Sequence, residues 1–434
     1  MGYGVSNKAA LKFLALNENG NYFVSNNSAL SDEDKLFLEN NSIEYEENGN
    51  TYELLNCEKI VVSPGVIPVN PILIAAADKG IKILIDLDLI ENHIDPKIKK
   101  IGVTGTNGKT TTVELTTTVL SSEYKAVSTG NIGVSPAEIA ENDLDFMVYE
   151  LSSYQLHYLN NVRFDFGALL NVTEDHLSWH GGMKDYFESK MRLSKFSKYF
   201  AYNSDLLDIF PADNFLTVDS SNEKSTCKID FKKKYFRIRN NGETYSVNYS
   251  GLKLLGKHNV YNAAFASLIG IYSGISPENI ENSLMNFEPE EHRMEVFANY
   301  KNTVFINDSK STNADSLINA VNTFSSRGET VVLLCGGVGK GEDYSCLAET
   351  ISNKVLKTYI CGDNSLKMKD FLENRCDYEI FESWDILIKK LFSELKENIT
   401  VLFSPGGASF DHFKNYKERG EYFKNRIGKI LESL

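Results

Sequence analysis

The sequence predicts an α/β protein of several domains, because short apolar runs alternate with helical patterns along most of its 434 residues. Two further observations support this fold class. A Gly-Thr-Asn-Gly-Lys-Thr turn at 105–110 joins an apolar run to a helical pattern, and four apolar runs after residue 297 end in small or polar residues. Ligands of open α/β sheets lie at such strand ends, so the sequence predicts parallel sheets that bind small molecules.

Composition narrows the class of protein. Hydrophobic residues make up 42% and charged residues 24%, which is typical of a globular protein in water. The formal net charge of −14 disfavours nucleic acid and anionic membranes as partners. There is no apolar run of transmembrane length and no signal-peptide pattern, so we expect no membrane insertion. The six cysteines form no C-x-x-C pair, which favours reduced thiols in a cytoplasmic enzyme.

The first segment, residues 1–93, is predicted to form a small parallel sheet. "NYFVSN" (21–26) and "EKIVVSPGV" (58–66) are typical of strands. "AALKFLALNENG" (9–20) and "NPILIAAADKG" (70–80) are typical of helices that are closed by glycine. The polar stretch "NHIDPKIKK" (92–100) is a plausible linker to the next segment.

The second segment, residues 94–296, opens with strand, turn and helix at "IGVTGTNGKTTTVELTTTVL" (101–120). Further strands are predicted at "DFMVYELSS" (145–153) and "FDFGALLNV" (164–172), and a long helix at "HNVYNAAFASLIGIYSG" (258–274). The stretch 227–250 indicates antiparallel strands joined by an Asn-Gly turn.

The third segment, residues 297–434, returns to the alternation of strands and helices. Its predicted strands are "NTVFINDS" (302–309), "ETVVLLCGG" (329–337), "KTYICGD" (357–363) and "ITVLFSPGG" (399–407).

The turn at 105–110 predicts a phosphate site. Gly105 and Gly108 permit a close backbone approach, and the N–H groups at the start of the following helix point at phosphate oxygens. Lys109 can reach the β- and γ-phosphates, and the Thr110 hydroxyl can ligate Mg²⁺. The strict P-loop spacing requires glycine at 103, where this chain has Val103, so the turn is a variant. The alternative is a glycine-rich turn without a ligand.

Several motifs along the chain resemble the Mur ligase family, ATP-dependent amide-forming enzymes of peptidoglycan precursor synthesis. In order, they are "GTNGKTTT" (105–112), "YELSSYQL" (149–156), "NVTEDHL" (171–177), "YFESKMRLSK" (186–195), "GKHNVYNAA" (256–264), "EHRMEV" (291–296) and "NDSKSTNADS" (307–316). The resemblance implies three domains: a Rossmann-like UDP-binding domain (1–93), a P-loop ATPase-like domain (94–296) and a Rossmann-like domain that binds the amino acid (297–434). It also implies that the turn binds ATP through Gly105, Thr106, Asn107, Gly108, Lys109, Thr110 and Thr111.

The resemblance further implies two Mg²⁺ sites. Glu150 follows a strand-like run and would ligate one ion together with Thr110, while His176 would ligate the second. Lys190 is implied to carry an N6-carboxylate, formed with CO₂, that serves as a metal ligand. The alternatives are a structural or exposed His176, with Asp175 similarly ambiguous, and a solvated Lys190.

On the nucleotide side, the resemblance implies that Asn259 and Asn262 lie against the adenine base. Arg293 would neutralise phosphate, Asp308 would accept the ribose hydroxyls, and Lys310 would contact the phosphates and the acyl intermediate. The alternatives are ordinary helix capping by the asparagines and a surface salt bridge for the arginine. Because the phosphate loop and Lys310 belong to different segments, domain closure is expected during the reaction.

The third segment resembles the member of the family that adds D-glutamate. The stretches that carry this resemblance are "LLCGGVGKGEDYS" (333–345) and "LFSPGGASFDHFKNYKERGEYF" (402–423), and the Asp-Asn-Pro-Arg motif of the diaminopimelate and lysine adders is absent. The implied D-glutamate site consists of Lys340, Thr312, Ser409 and Tyr416. Taken alone, Lys340 is more typical of a solvated loop and Ser409 of a turn than of a binding site.

In the first segment, "GYGVSNKAA" (2–10) resembles the UDP-binding turn, with Gly4, Val5, Ser6 and Asn7 as contacts. Asn7 occupies the third glycine position of a dinucleotide fingerprint, which disfavours NAD. Relatives have a strand before this turn, so the first strand is expected to be missing. Asn131 and Gln155 are implied contacts to the rest of the UDP-substrate.

The expected ligands are ATP, UDP-N-acetylmuramoyl-L-alanine and D-glutamate, and the expected oligomeric state is a monomer. Two rival functions remain open on the sequence. One is folylpolyglutamate synthase, a relative that also joins glutamate through an acyl phosphate. The other is a nucleotide or UDP-sugar sensor without catalysis.

Overall fold

The structure is a computed structural model, and it describes residues 1–206, 215–339 and 345–433. Its contacts divide the chain into two compact units. The first unit comprises Met1–Val172, Trp179–Gly251 and Ala263–Leu284, and the second comprises Thr173–Ser178, Leu252–Asn262 and Met285–Leu434. Most of the first two predicted segments therefore fall in one unit.

Strands and helices alternate up to residue 286. The strands are β1 Phe23–Ser25, β2 Glu44–Glu46, β3 Lys59–Val61, β4 Lys82–Leu84, β5 Lys99–Thr104, β6 Ala126–Gly130, β7 Phe146–Glu150, β8 Phe164–Leu169, β9 Ser197–Asn203, β10 Leu216–Asp219, β11 Cys227–Asp230, β12 Tyr235–Asn240 and β13 Glu243–Asn248. The helices are α1 Val5–Asn17, α2 Asp32–Asn40, α3 Pro71–Asp78, α4 Asp86–Ile90, α5 Lys109–Leu120, α6 Pro136–Ile139, α7 Ser153–Tyr158, α8 Leu177–His180, α9 Met183–Phe196, α10 Lys257–Ser273 and α11 Pro277–Asn286.

The rest of the chain alternates in the same way. Its strands are β14 Glu295–Tyr300, β15 Thr303–Asn307, β16 Val331–Gly336, β17 Val355–Cys361, β18 Tyr378–Phe381 and β19 Thr400–Phe403. Its helices are α12 Ala314–Ser325, α13 Ser345–Lys354, α14 Ser365–Leu372, α15 Trp384–Ser393 and α16 Tyr416–Leu431. Every strand and helix that the sequence predicts at a quoted stretch is present, which confirms the α/β class.

A nine-stranded sheet organises the first unit, in the order β13-β12-β11-β10-β9-β8-β5-β7-β6. The strands from β6 to β11 are parallel, and β11, β12 and β13 are antiparallel. Asn241 and Gly242 join β12 to β13 with positive φ at both residues, which confirms the Asn-Gly turn. Central β5 pairs with β7 and β8, and their carboxyl ends lie side by side.

The strand pairing at the start of the chain differs from the prediction. The structure has two separate parallel pairs, β1-β2 and β3-β4, where one small sheet was expected. The backbone of residues 1 and 2 bonds to both pairs, because the amino group of Met1 donates to Val61 O (2.8 Å) and Gly2 N donates to Ser25 O (2.8 Å).

The glycine closure predicted for the first helix is wrong. Helix α1 leaves the helical conformation at Glu18, which is extended, so the chain has already departed before Gly20. The same prediction is confirmed for α3, since Gly80 follows it with φ +72°.

A six-stranded sheet organises the second unit, in the order β14-β15-β19-β16-β17-β18. All neighbours are parallel except β14 and β15. Alternate strand residues enter two different apolar clusters: Ile306 packs with α12 and α13 residues, and Phe305 packs with α15 and α16 residues. Helices thus cover both faces of the sheet, which leaves its carboxyl edge for polar residues.

No helix within the described ranges has the length and apolar character needed to cross a membrane.

Candidate active site

The phosphate loop connects β5 to α5 in the first unit. Gly108 is the N-cap of α5 with φ +84°, a conformation that a side chain would strain. Asn171 fixes the loop from the end of β8, because its side chain accepts from Asn107 N (2.9 Å) and donates to Asn107 O (3.0 Å). Val103 is fully buried inside β5, so the departure from the strict P-loop spacing lies in the strand.

Two lysine ammonium groups converge on this loop. Lys109 Nζ donates to Gly105 O (2.9 Å) and Thr106 O (2.8 Å), and Lys190 Nζ donates to the same Gly105 O at 2.8 Å. Lys190 is only 1% exposed and lies over the ring of Tyr186, whose hydroxyl bonds to Thr106 (2.9 Å). The solvated alternative for Lys190 is therefore wrong.

Glu150 ends β7 beside the loop. Thr110 Oγ1 donates to one of its carboxylate oxygens (2.8 Å), and Asn131 Nδ2 donates to the other (2.8 Å). The carboxylate is 2% exposed, and neither bond comes from a cation. On α5, next to Thr110, the hydroxyl of Thr111 is buried and has no hydrogen-bond partner in the described part of the chain. The geometry offers a buried anionic oxygen pair next to a helix N-terminus.

The predicted UDP-substrate residues lie in the same unit. Gly4 is the N-cap of α1, followed by exposed Val5 and half-buried Ser6. The Asn7 amide donates to Gly2 O (2.9 Å). Gln155 is buried, and its side-chain oxygen accepts from Ser152 N (2.9 Å) in a capping box of α7, so part of its hydrogen-bonding capacity serves the fold.

In the second unit, Asp308 follows β15 at the carboxyl edge of the sheet. Its carboxylate accepts from Ser404 Oγ (2.8 Å), at the end of β19, and from Met294 N (3.2 Å). Burial raises the pKa of Asp308 to about 7, although the Ser404 hydroxyl and the nearby positive charge of Arg293 oppose that rise.

Two predicted phosphate ligands lie close to Asp308. The Nε atom of Arg293 is buried and has no hydrogen-bond partner among the described residues, so the surface salt bridge considered above is not observed there. Lys310 pairs with Glu290, and its ammonium lies over the ring of Tyr416, 5.5 Å from the centroid.

The two predicted adenine residues face inward from α10. Asn259 and Asn262 are 1% and 4% exposed. Asn259 donates to Leu255 O (2.7 Å) and Asn262 donates to Asn259 Oδ1 (3.0 Å). They lie within the helix and not at its N-cap, so simple capping by these side chains is wrong.

The predicted D-glutamate residues follow β15 and β19. Thr312 is half-buried and Ser409 is 3% exposed, next to an isolated bridge between Val338 and Ala408. Tyr416 is the first residue of α16. Lys340 lies outside the described residues.

His176 and Asp175 belong to the short stretch of the second unit at 173–178. His176 has φ +55°, and its Nε2 lies 3.4 Å from Asp175 Oδ2. Asp175 is 6% exposed and also contacts the amide of Asn313 (3.5 Å). His176 is thus an oriented imidazole beside a buried carboxylate.

Sequence reasoning missed Arg419, which is fully buried on α16. Its guanidinium donates to Ser309 Oγ (3.1 Å), Ser309 O (2.9 Å) and Gly407 O (3.0 Å). It thereby ties the turn after β15 to the turn after β19. Its position within the quoted "YKERGEYF" gave no signal, because arginine is common on exposed helix faces.

A separate groove of about 790 Å³ lies at the amino ends of β16 and β17. Its walls include His258, Asn319, Asn322 and Lys354, and no predicted site residue in the described part of the chain lines it. The predicted residues Asp308, Thr312 and Ser409 instead follow β15 and β19, on the side of their carboxyl ends.

Three family models match this chain in order. The MurD N-terminal domain matches residues 1–72, the Mur ligase middle domain matches 103–270, and the glutamate ligase domain of Mur ligases matches 292–407. Together they cover well over half of the chain.

The chain belongs to the Mur ligase family.

This confirms the resemblance carried by the motifs and the expected three-domain architecture. Curated relatives extend over the full length of this Mur ligase. A protein of Thermotoga sp. (strain RQ2) is 32% identical over 98% of this chain and 96% of its own length. A protein of Thermosipho melanesiensis is 33% identical over 100% of this chain and 97% of its own length. Both are named UDP-N-acetylmuramoylalanine--D-glutamate ligase.

Solved structures show the same fold. A pseudomurein peptide ligase type C from Methanothermus fervidus has a TM-score of 0.64 at 17% identity, covering 98% of each chain. MurF from Thermotoga maritima, solved in complex with ADP, has a TM-score of 0.62 at 17% identity, covering 94% of this chain and 98% of MurF.

Proposed function

We propose that this Mur ligase uses ATP to join D-glutamate to UDP-N-acetylmuramoyl-L-alanine in the synthesis of peptidoglycan precursors. The observation that carries the proposal is the phosphate loop, where Lys109 and Lys190 share one carbonyl acceptor beside the buried Glu150–Thr110 pair. The names of the full-length relatives support the choice of substrates.

Glu150 and Thr110 fit a Mg²⁺ ion. The Glu150 carboxylate is 2% exposed and, within the described part of the chain, accepts hydrogen bonds only from the neutral groups of Thr110 and Asn131. Burying this charge is costly, and a divalent cation would offset that cost. When bound, Mg²⁺ would neutralise phosphate charge and polarise the phosphoryl oxygens. Thr110 and Glu150 would hold that ion, and His176 together with a carboxylated Lys190 would hold a second one.

Carboxylation of Lys190 is supported by the charges on the loop. Two ammonium groups that bond to one oxygen repel each other, and burial makes a positive charge on Lys190 more costly still. Conversion of Lys190 to a carbamate would replace this repulsion by attraction to Lys109.

The reaction would proceed in two displacements. The L-alanyl carboxylate attacks the γ-phosphorus of ATP, ADP departs, and the resulting acyl phosphate is attacked by the amine of D-glutamate with loss of phosphate and a proton. Lys109 would exchange its loop carbonyls for phosphate oxygens. The buried Nε of Arg293, which has no hydrogen-bond partner among the described residues, would donate to the phosphates, and Lys310 offers a second cation.

Asp308 and the two asparagines would bind the nucleoside. A buried carboxylate that already accepts two hydrogen bonds keeps lone pairs for ribose hydroxyls, and Asn259 and Asn262 would lie against the base. Lys340, Thr312, Ser409 and Tyr416 would bind D-glutamate, whose two carboxylates require a cation and hydroxyl donors.

The remaining assignments belong to the same proposal. Gly4, Val5, Ser6, Asn7, Asn131 and Gln155 would contact the UDP-substrate. The domains would span residues 1–93, 94–296 and 297–434, and the enzyme would act as a cytoplasmic monomer.

The test is phosphate release with MgATP, UDP-N-acetylmuramoyl-L-alanine and D-glutamate, with each omitted in turn. We expect release only with all three, and none when L-glutamate replaces D-glutamate. Release with a folate acceptor and L-glutamate would support the folylpolyglutamate rival, and nucleotide binding without release would support the sensor.

A further inference from the structure

A short strained turn in the second unit carries the proposed phosphate ligand Arg293. His292 and Met294, on either side of it, both have left-handed backbone conformations, with φ +64° and +46°. Such conformations are unfavourable for residues with side chains and persist only where surrounding contacts hold them. The contacts that hold this turn therefore determine where the guanidinium points.

The first set of contacts comes from the segment after β15. His292 O accepts from Lys310 N (3.0 Å), and Met294 N donates to Asp308 Oδ1 (3.2 Å). The turn is thus bonded at both left-handed residues to the two neighbouring site residues.

Asn307 supplies the second set. Its amide nitrogen donates to Glu295 Oε2 (3.0 Å), and its amide oxygen accepts from Ser309 N (3.2 Å), which fixes the orientation of the amide. The same nitrogen lies 2.8 Å from His292 Nδ1, so Nδ1 is the acceptor and the neutral ring carries its proton on Nε2.

Gly420 on α16 provides the space for this ring. A Cβ atom at position 420 would overlap His292, lying 2.9 Å from Cγ and 3.0 Å from Cε1 of the imidazole. The ring is 4% exposed, so it has little room to move without losing the Asn307 bond.

We propose that Gly420 and Asn307 are positioning residues that seat the His292 imidazole and thereby aim Arg293 at the phosphates of ATP. The inference rests on the proposed function, since it gives Arg293 its ligand. It explains why a glycine lies in a buried position of α16, where alanine would favour the helix by about 1 kcal/mol.

The test compares Gly420→Ala with Gly428→Ala. Both lie on α16, but a Cβ at 428 meets no atom within 4 Å, so both substitutions favour the helix and only one displaces the ring. MgATP affinity is measured by calorimetry on the full chain, together with KM for D-glutamate. We expect Gly420→Ala to weaken MgATP binding about tenfold or more with little change in KM for D-glutamate, and Gly428→Ala to match the wild type.

Equal MgATP affinities for the two variants and the wild type would overturn the inference and leave the proposed function intact. A wild type that binds no MgATP would instead contradict the proposed function. If Gly420→Ala fails to fold, the Asn307→Ala variant tests the inference in its place, because this substitution removes the hydrogen-bond donor to His292 without adding an atom. A selective loss of MgATP affinity in that variant supports the inference, and unchanged affinity overturns it.

Discussion

The phosphate loop of the first unit and the carboxyl edge of the second unit hold their polar residues in different ways. In the loop, Gly105, Lys109 and Thr110 are neighbours in sequence, and Glu150, Asn171 and Lys190 reach the loop from other elements. At the carboxyl edge, Asp308, Ser404 and Arg419 come from three separate segments. The loop is a local sequence motif that tertiary contacts support, whereas the edge exists only after the sheet has formed.

The difference extends to electrostatics. The loop gathers like charges, since two ammonium groups share one carbonyl oxygen. The edge instead buries a carboxylate under neutral donors and a nearby arginine, and the pKa of Asp308 rises to about 7. We therefore expect substitutions in the loop to affect turnover first, and substitutions at the edge to affect both stability and substrate binding.

The largest effect is expected for Lys190→Ala. Loss of the proposed carboxylate ligand should reduce turnover by about 10³-fold or more, and acetate or formate should restore part of it. Lys184→Ala, an 84% exposed position on the same helix, is the control and should retain activity in the phosphate-release assay. Full turnover in Lys190→Ala would remove Lys190 from the mechanism.

The second-largest loss of turnover is expected for Glu150→Gln. The amide has one oxygen where Thr110 and Asn131 both donate, and it lacks the charge that a Mg²⁺ ion requires. We expect turnover at fixed Mg²⁺ to fall roughly 10²-fold, with part of the loss recovered at high Mg²⁺. Titration of Mg²⁺ in the same assay measures this, and Glu141→Gln, on an exposed loop, is the control. An unchanged Mg²⁺ requirement would contradict the assignment.

The variant Arg419→Lys tests whether the Arg419 guanidinium holds the carboxyl edge of the second unit together. Lysine keeps the charge but cannot make the three bonds to Ser309 and Gly407, so about 2–3 kcal/mol of stability should be lost, with a higher KM for D-glutamate. Thermal unfolding and steady-state kinetics measure the two effects. Arg426→Lys, which is 38% exposed on the same helix, should change stability by less than about 1 kcal/mol. Equal behaviour of the two variants would mean that Arg419 does not hold the edge.

Asp308→Asn should have the smallest effect, and it depends on pH. The pKa of the carboxyl is raised to about 7 in the folded chain, above its value of about 4 when unfolded. The folded chain therefore binds the proton more tightly, and stability falls as the pH rises through this range.

Asparagine stays neutral, so the variant should lose less stability than the wild type as the pH rises from about 5 to about 8, because only the wild type must release a proton in that range. Thermal unfolding at both pH values checks this, with exposed Asp370→Asn as the control. If stability changed with pH equally in Asp308→Asn and the wild type, the pKa of the Asp308 carboxyl would not be raised by folding, and the prediction would be wrong.

Much of the fold followed from the sequence because its signals are local. Apolar periodicity gave every quoted strand and helix, and Asn241-Gly242 gave a hairpin turn, since these depend on residues adjacent in the chain. The glycine closure of α1 was wrong because a helix can also end when the next residue becomes extended, as Glu18 does.

Only part of the candidate site could be predicted from such local signals in the sequence. The loop at 105–110 has the residues and the strand-to-helix context that phosphate binding requires, and its position at the end of β5 followed. The burial of Lys190 could not be predicted from the sequence, because a lysine on a polar helix is normally solvated and only tertiary packing reverses that expectation.

The sequence by itself determined the order of strands and helices, the glycine-rich turn at 105–110 and the family motifs, because each depends on neighbouring residues. The tertiary structure alone decided which distant groups meet. It placed Lys190 on Gly105 O, buried Arg419 between two turns, and fitted the His292 ring against Gly420. The physical reason is that desolvation and close packing act on groups brought together in space. The pairs Lys190–Gly105, Arg419–Ser309 and His292–Gly420 each lie 85 or more positions apart in the chain.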